Sequence, residues 1–175
     1  MAIQEVIVEL NYLQTKGIIS SYAIGGAVAA GVYTAPMSTE DVDVFVIFAG
    51  SKAHSLDALS PIYGALIPRG AKVSHAHLEI GGWPVRFLPG ATNGLYRDAT
   101  ANARDLAVGG QTARFMGPEH LAAIALQTNR GKDLVRVLEF LKTDVMNQSL
   151  FHSLITKFGL TDEWTQFQSK FLAET

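Results

Sequence analysis

Asp41 and Asp43 stand one residue apart at the head of an apolar run, Asp41-Val42-Asp43-Val44-Phe45-Val46-Ile47-Phe48. In a strand, residues two apart share a face at about 6–7 Å. Two carboxylates so placed suit shared divalent cations. Magnesium in particular takes one or two carboxylates and completes its shell with substrate phosphate. Upstream, Ala23-Ile24 runs into Gly25-Gly26. A glycine pair at a strand-to-helix turn lets backbone N–H groups approach a phosphate, and the helix start adds partial positive charge. Together the two motifs suit a nucleoside triphosphate and its metals, held for in-line phosphoryl displacement. Alone, a Gly-Gly pair is most often only a turn, and Asp-x-Asp most often a solvated strand end. Their order along the chain carries the chemical reading.

Other polar residues have two readings each. His75 and His77 have the i, i+2 spacing of zinc-ligating imidazoles, but an open sheet face also explains them. Arg130, Lys132, Asp133 and Arg136 form a charged segment, and the i, i+3 spacings Arg130–Asp133 and Asp133–Arg136 favour surface ion pairs. The alternative is a patch facing phosphate or RNA, with Arg97, Arg104 and Arg114 adding charge. Trp164, Phe167 and Phe171 have helical spacing, which reads as core or dimer contact.

The elements that must position these residues follow from periodicity. Ile3, Val6, Ile7, Leu10 and Leu13 predict an amphipathic helix ending near Gly17. Ser21 to Ile24 reads as a strand entering the glycine turn, and residues 27–33 as helix. Residues 35–40 read as a loop and Asp41 to Phe48 as a central strand, apolar on both faces toward its end. Residues 54–67 read as helix. Lys72 to Leu88 reads as two strands joined at Gly81-Gly82, a strong hairpin signal. That turn sets Ile80 opposite Trp83 and His77 opposite Arg86. One helix is expected from Gly117-Pro118-Glu119 to about Lys142, with Gly131 as a candidate break. Two shorter helical patterns follow. The mixed order points to an α+β or α/β-like domain.

The chain has 175 residues, 48% hydrophobic and 17% charged, with a formal net charge of −2. Those values indicate one globular domain over 1–175. The weak negative charge argues against broad nucleic-acid binding. The sequence contains no cysteine, which excludes disulfides, thiolate metal sites and a cysteine nucleophile. No signal peptide or membrane span is expected, and a cytoplasmic location is compatible with this pattern.

Ala23-Ile24-Gly25-Gly26, followed by Ser38-Thr39-Glu40-Asp41-Val42-Asp43-Val44-Phe45-Val46, resembles the signature of the DNA polymerase beta-type nucleotidyltransferase superfamily. Within it the chain is similar to small bacterial proteins related to abortive-infection toxin nucleotidyltransferases. Gly117-Pro118-Glu119-His120-Leu121 and Asn129-Arg130-Gly131-Lys132-Asp133 resemble the helix that follows the sheet in those proteins. The resemblance covers about residues 20–142 and implies a nucleotidyltransferase-like fold, with a short mixed sheet flanked by helices over that core and a helical C-terminal extension over about 143–175. It implies Gly25 and Gly26 on the triphosphate and Asp41 and Asp43 on Mg2+ or Mn2+. The reaction expected is transfer of a nucleoside monophosphate to a hydroxyl on RNA, protein or a small molecule, releasing pyrophosphate. Expected partners are a nucleoside triphosphate, an RNA or protein acceptor, a second copy of the chain or a cognate antitoxin, and no membrane.

One departure stands out. The superfamily's third carboxylate lies on a later strand, where this chain reads Pro84-Val85-Arg86-Phe87-Leu88. Arginine stays protonated and cannot act as a base. Glu79 shares a face with Arg86 on the expected hairpin and is the candidate replacement acid; an ordinary cross-strand salt bridge is the alternative. Arg86, Arg130 and Lys132 are candidate phosphate ligands. A second class of function is therefore a noncatalytic nucleotide- or partner-binding protein, and a third is a structural member of a toxin–antitoxin pair.

Overall fold

The computed structural model describes residues 3–36, 38–49 and 58–172. Helix α1 (Ile3–Thr15) buries Val6, Ile7, Leu10 and Leu13, the stripe its periodicity predicts. It leads into β1 (Ile19–Ile24), the five-residue helix α2 (Gly26–Ala30) and β2 (Val42–Phe48). Helix α3 (Ser60–Leu66) is shorter than the expected 54–67; residues 54–57 lie outside the described residues.

The segment read as two strands forms three. Strands β3 (Lys72–Ser74) and β4 (His77–Ile80) make a hairpin of their own, closed at His75-Ala76. His75 adopts φ 53°, a left-handed conformation that a turn tolerates and a strand does not. Strand β5 (Trp83–Pro89) then follows the Gly81-Gly82 turn with Ile80 opposite Trp83, as the sequence predicts.

Helix α4 (Gly94–Ala101) is capped by Asn93, whose side chain accepts from the N–H groups of Leu95 and Tyr96. A hairpin of β6 (Arg104–Val108) and β7 (Gln111–Phe115) comes next. The single long helix expected over 117–142 is two: α5 (Pro118–Thr128) and α6 (Gly131–Lys142). Asn129 breaks it at φ 51° and ψ 34°, with its N–H donated back to the carbonyl of Ala125. Helices α7 (Gln148–Lys157) and α8 (Thr161–Phe171) form the tail.

The described strands form one mixed seven-stranded sheet in the order β3-β4-β5-β2-β1-β7-β6. The pairs β2–β5 and β1–β7 are parallel; the others are antiparallel. Strand β2 is near the middle and apolar on both faces. On one face Val44 and Val46 lie with Tyr22, whose hydroxyl donates to Asn11 of α1 at 2.8 Å. On the other, Phe45 meets Tyr96 of α4 edge to face, with ring centroids 4.9 Å apart. Asp43 belongs to this second face.

Helix α5 joins the tail to the sheet and carries two buried polar residues. Glu119, 1% exposed, takes Arg104 Nη2 at 2.9 Å and accepts the backbone N–H of Asn147 at 2.8 Å. His120 Nε2 lies 2.9 Å from Asp98 Oδ2, and Lys157 pairs with the other oxygen of that carboxylate. In the tail, Trp164 packs edge-on against Phe151 and stacks on Phe167, so these aromatics act as core. Among the described residues no helix is long and apolar enough to cross a membrane.

Candidate nucleotide-binding cleft

Gly25 and Gly26 connect β1 to α2 directly beside β2. The Gly25 N–H donates to the carbonyl of Asp43 at 2.8 Å. A Cβ on Gly25 would stand 2.6 Å from the Phe45 ring, and one on Gly26 would stand 2.7 Å from Asp43 Oδ2. Gly26 also has φ 58°, which favours glycine. The pair is therefore fixed by close approach to β2, and it lays the first backbone of α2 against the Asp43 carboxylate. The first N–H groups of a helix have no partner within it.

A cleft of about 690 Å³ opens here. Gly26 and Ala27, the loop residues Ser38 to Asp41, and Asp43 form one side. Arg86 and Leu88 of β5 form its floor, with Ser74, His75 and His77 beyond them. Arg130, Lys132, Asp133 and Arg136 close it from the start of α6. Phe45, Tyr96, Met116, Leu121 and Ile124 supply an apolar section. The Thr39 hydroxyl donates to the Asp41 carbonyl at 2.9 Å and steadies the entry to β2.

The register explains the centre of the site. Asp43 and Arg86 are direct partners on the parallel strands β2 and β5. Arg86 Nε and Nη2 both reach Asp43 Oδ1, at 2.8 and 2.6 Å. Leu78 pairs with Val85, which makes His77 the next neighbour of Arg86, and His77 pairs with Ser74. Asp43, Arg86, His77 and Ser74 thus form one row across four strands, and all four line the cleft. Burial pushes the Asp43 carboxyl above its ordinary value; Arg86 opposes this, Asp41 adds to it, and Arg136 opposes it more weakly.

Of the residues expected from sequence, the structure brings together Gly26, Asp41, Asp43, Arg86, Arg130 and Lys132. Gly25 sits behind the wall, its N–H taken by Asp43. Glu79 is not brought in. It shares the face of Arg86 but pairs with Lys72 and Pro84 toward the Gly81-Gly82 end of the hairpin, exposed and off the cleft lining. Arg97, Arg104 and Arg114 do not extend the basic patch. Arg97 donates to the Ala91 carbonyl, Arg104 pairs with Glu119, and Arg114 pairs with Asp105.

The ion pair of α6 is Arg136 Nη1 to Asp133 Oδ1 at 3.0 Å, and it faces the cleft rather than solvent. Sequence reasoning missed Tyr96, because α4 was not anticipated; Asn93-Gly94, a capping residue before a helix start, was its signal.

Among the described residues no group of three or more His, Asp or Glu side chains is placed to hold a metal ion. His75 and His77 therefore stand, among the described residues, without a third such side chain to complete a zinc set. Asp41 and Asp43 remain as a two-carboxylate oxygen set, which fits magnesium sharing its shell with substrate phosphates.

No family model matches the sequence, and neither does any curated protein. Solved structures do match. The crystal structure of an antigenic nucleotidyltransferase-like protein from Paracoccidioides brasiliensis is 14% identical, with 97% of this chain and 94% of that one covered at a TM-score of 0.54. ANT(2″)-Ia in complex with adenylyl-2″-tobramycin is 12% identical, with 95% of this chain and 97% of that one covered at a TM-score of 0.47. The mixed sheet, its flanking helices and the first of these alignments agree: the chain has the nucleotidyltransferase-like fold.

Proposed function

We propose that the cleft binds a nucleoside triphosphate with magnesium and that the chain is a nucleotidyltransferase. One observation carries this reading. A single cleft joins the Asp41/Asp43 pair and the Gly26 backbone to four cations, Arg86, Arg130, Lys132 and Arg136. A triphosphate with its counter-ion needs both halves.

In this mechanism Gly26 and the first turn of α2 lie along the phosphates, and α2 is too short to add a large dipole. Arg130 and Lys132 hold the phosphate tail. Asp41 and Asp43 would hold magnesium, which when bound would neutralise charge on the phosphates. The acceptor hydroxyl attacks the α-phosphorus, the α–β bridging bond breaks, and pyrophosphate leaves with the electron pair. Arg86 stabilises phosphate charge but takes no proton. The proton-accepting side chains facing the cleft are its carboxylates, His75 and His77.

A second reading rests on the Asp43 ion pair: a nucleotide binder that does not turn over, with Arg86 holding Asp43 away from metal. This reading accommodates a partner protein such as a cognate antitoxin.

The two separate by experiment. Each nucleoside triphosphate is titrated with and without magnesium against thermal stability. At a hundredfold excess over the dissociation constant a ligand adds about 2.7 kcal/mol. A magnesium-dependent shift that Asp41→Asn abolishes supports the site, and no shift with any nucleotide ends both readings. Pyrophosphate release on adding cellular RNA supports transfer; binding without release supports the second reading.

A further inference from the structure

Two-metal phosphoryl-transfer sites clamp the attacking and leaving oxygens between two divalent cations. Here one cation is already built into the sheet. Arg86 donates its Nε–H to one oxygen of Asp43 at 2.8 Å, and its Nη2 stands 2.6 Å from the same oxygen. The first is the distance of a charge-assisted hydrogen bond. The contact follows from the backbone, because Asp43 and Arg86 are register partners on two inner strands. The Asp43 side chain is 18% and that of Arg86 33% exposed, so solvent screens the pair in part. The other oxygen of Asp43 lies against Gly26. Arg86 also feels the charges of Asp41 and Asp133, so acids surround it on several sides.

We propose that the Arg86 guanidinium replaces one of the two divalent cations, so that the nucleotide-loaded site takes one metal ion per chain. The inference rests on the reading that the cleft takes a nucleoside triphosphate with magnesium. Charge arithmetic supports it. Asp41, Asp43 and Arg86 sum to −1, where three acids would sum to −3. One divalent ion brings the present set to +1, facing a polyanionic phosphate tail. A second would bring it to +3 and would compete with a fixed positive charge for Asp43. The metal that binds is held by Asp41, by what Asp43 still offers, and by phosphate oxygens. Arginine differs from a metal in one chemical respect: it neutralises and orients, but it does not acidify a bound hydroxyl.

The test counts ions rather than turnover. Mn2+ is titrated by electron paramagnetic resonance into protein saturated with a non-hydrolysable α,β-methylene analogue of ATP. The expected result is one tightly bound Mn2+ per wild-type chain, and two in Arg86→Asp. Two tight ions, or none, in analogue-loaded wild type overturn the inference and leave nucleotide binding standing. If the analogue itself does not bind, the proposed function falls with it. The wild-type count decides the question even where Arg86→Asp fails to fold.

Discussion

Arg86→Ala probes the centre of the cleft through stability alone. Truncating one partner of a fully buried ion pair costs about 3–5 kcal/mol, because the other charge stays buried and alone. Here Asp43 is 18% and Arg86 33% exposed, so water recovers part of that loss. The expected cost is about 1–2 kcal/mol at neutral pH. For a chain of this size that lowers the melting temperature by about 2–8 °C.

The cost also depends on pH. Burial already raises the Asp43 carboxyl in the folded state, and losing Arg86 raises it further. A group raised on folding gives stability that is fully present below its unfolded pKa and is lost as pH rises through its folded pKa. The deficit of Arg86→Ala therefore opens above the folded pKa of Asp43 and closes in acid, below the ordinary carboxylate value. Thermal melts of wild type, Arg86→Ala, Asp43→Asn and the double variant across pH 3–8 measure this. A coupling of about 1–2 kcal/mol between the two positions is expected. Additive single losses, or a deficit unchanged by pH, would refute the reasoning.

Three further outcomes are expected. Gly26→Ala forces a left-handed alanine and a Cβ 2.7 Å from Asp43 Oδ2; it should lose about 1–2 kcal/mol and weaken the magnesium-nucleotide shift, and wild-type melting in both conditions would contradict this. Glu119→Ala removes the acceptor of the Asn147 N–H and of Arg104; a loss of about 2–4 kcal/mol is expected, and Glu119→Gln, which still offers an oxygen, should lose clearly less in the same denaturant titration. Burial raises the Asp98 carboxyl, but hydrogen bonds from His120 and Lys157 win and lower it. Asp98→Asn should therefore be destabilised at neutral pH and converge on wild type as pH falls through the folded pKa of Asp98; a constant gap down to pH 2 counts against this network.

Strong local signals were legible in the chain. The spacing of α1, the Asp-x-Asp strand and the Gly81-Gly82 hairpin all follow from periodicity or turn chemistry, and the hairpin register placed His77 beside Arg86 before any coordinates. Less visible was chemistry settled by single residues in uncommon backbone states. His75 and Asn129 turn the chain at positive φ without glycine, so one strand became two and one helix became two. The β6–β7 hairpin has the same signal as its predecessor, a Gly-Gly pair at Gly109-Gly110. Glu79 shows what registry alone cannot decide. It shares a face with Arg86 as expected, but position along the hairpin determines access to the cleft. Arg136 could not be placed from spacing, because an i, i+3 pair on a helix does not reveal which way that helix looks.

Two residues off helical geometry turn the chain from α5 into α6, Asn129 at φ 51° and ψ 34° and Arg130 at φ −87° and ψ 133°, and α6 extends from that turn as an arm. At 1.5 Å per residue, Arg136 stands roughly 10 Å along that arm from the turn. A change of about 10° there carries the guanidinium through roughly 2 Å, comparable to the difference between a hydrogen bond and none. The distance between Arg136 and Asp43 across the cleft therefore depends on the backbone angles of this turn and on the seating of Leu134, Val137 and Phe140, the buried face of α6.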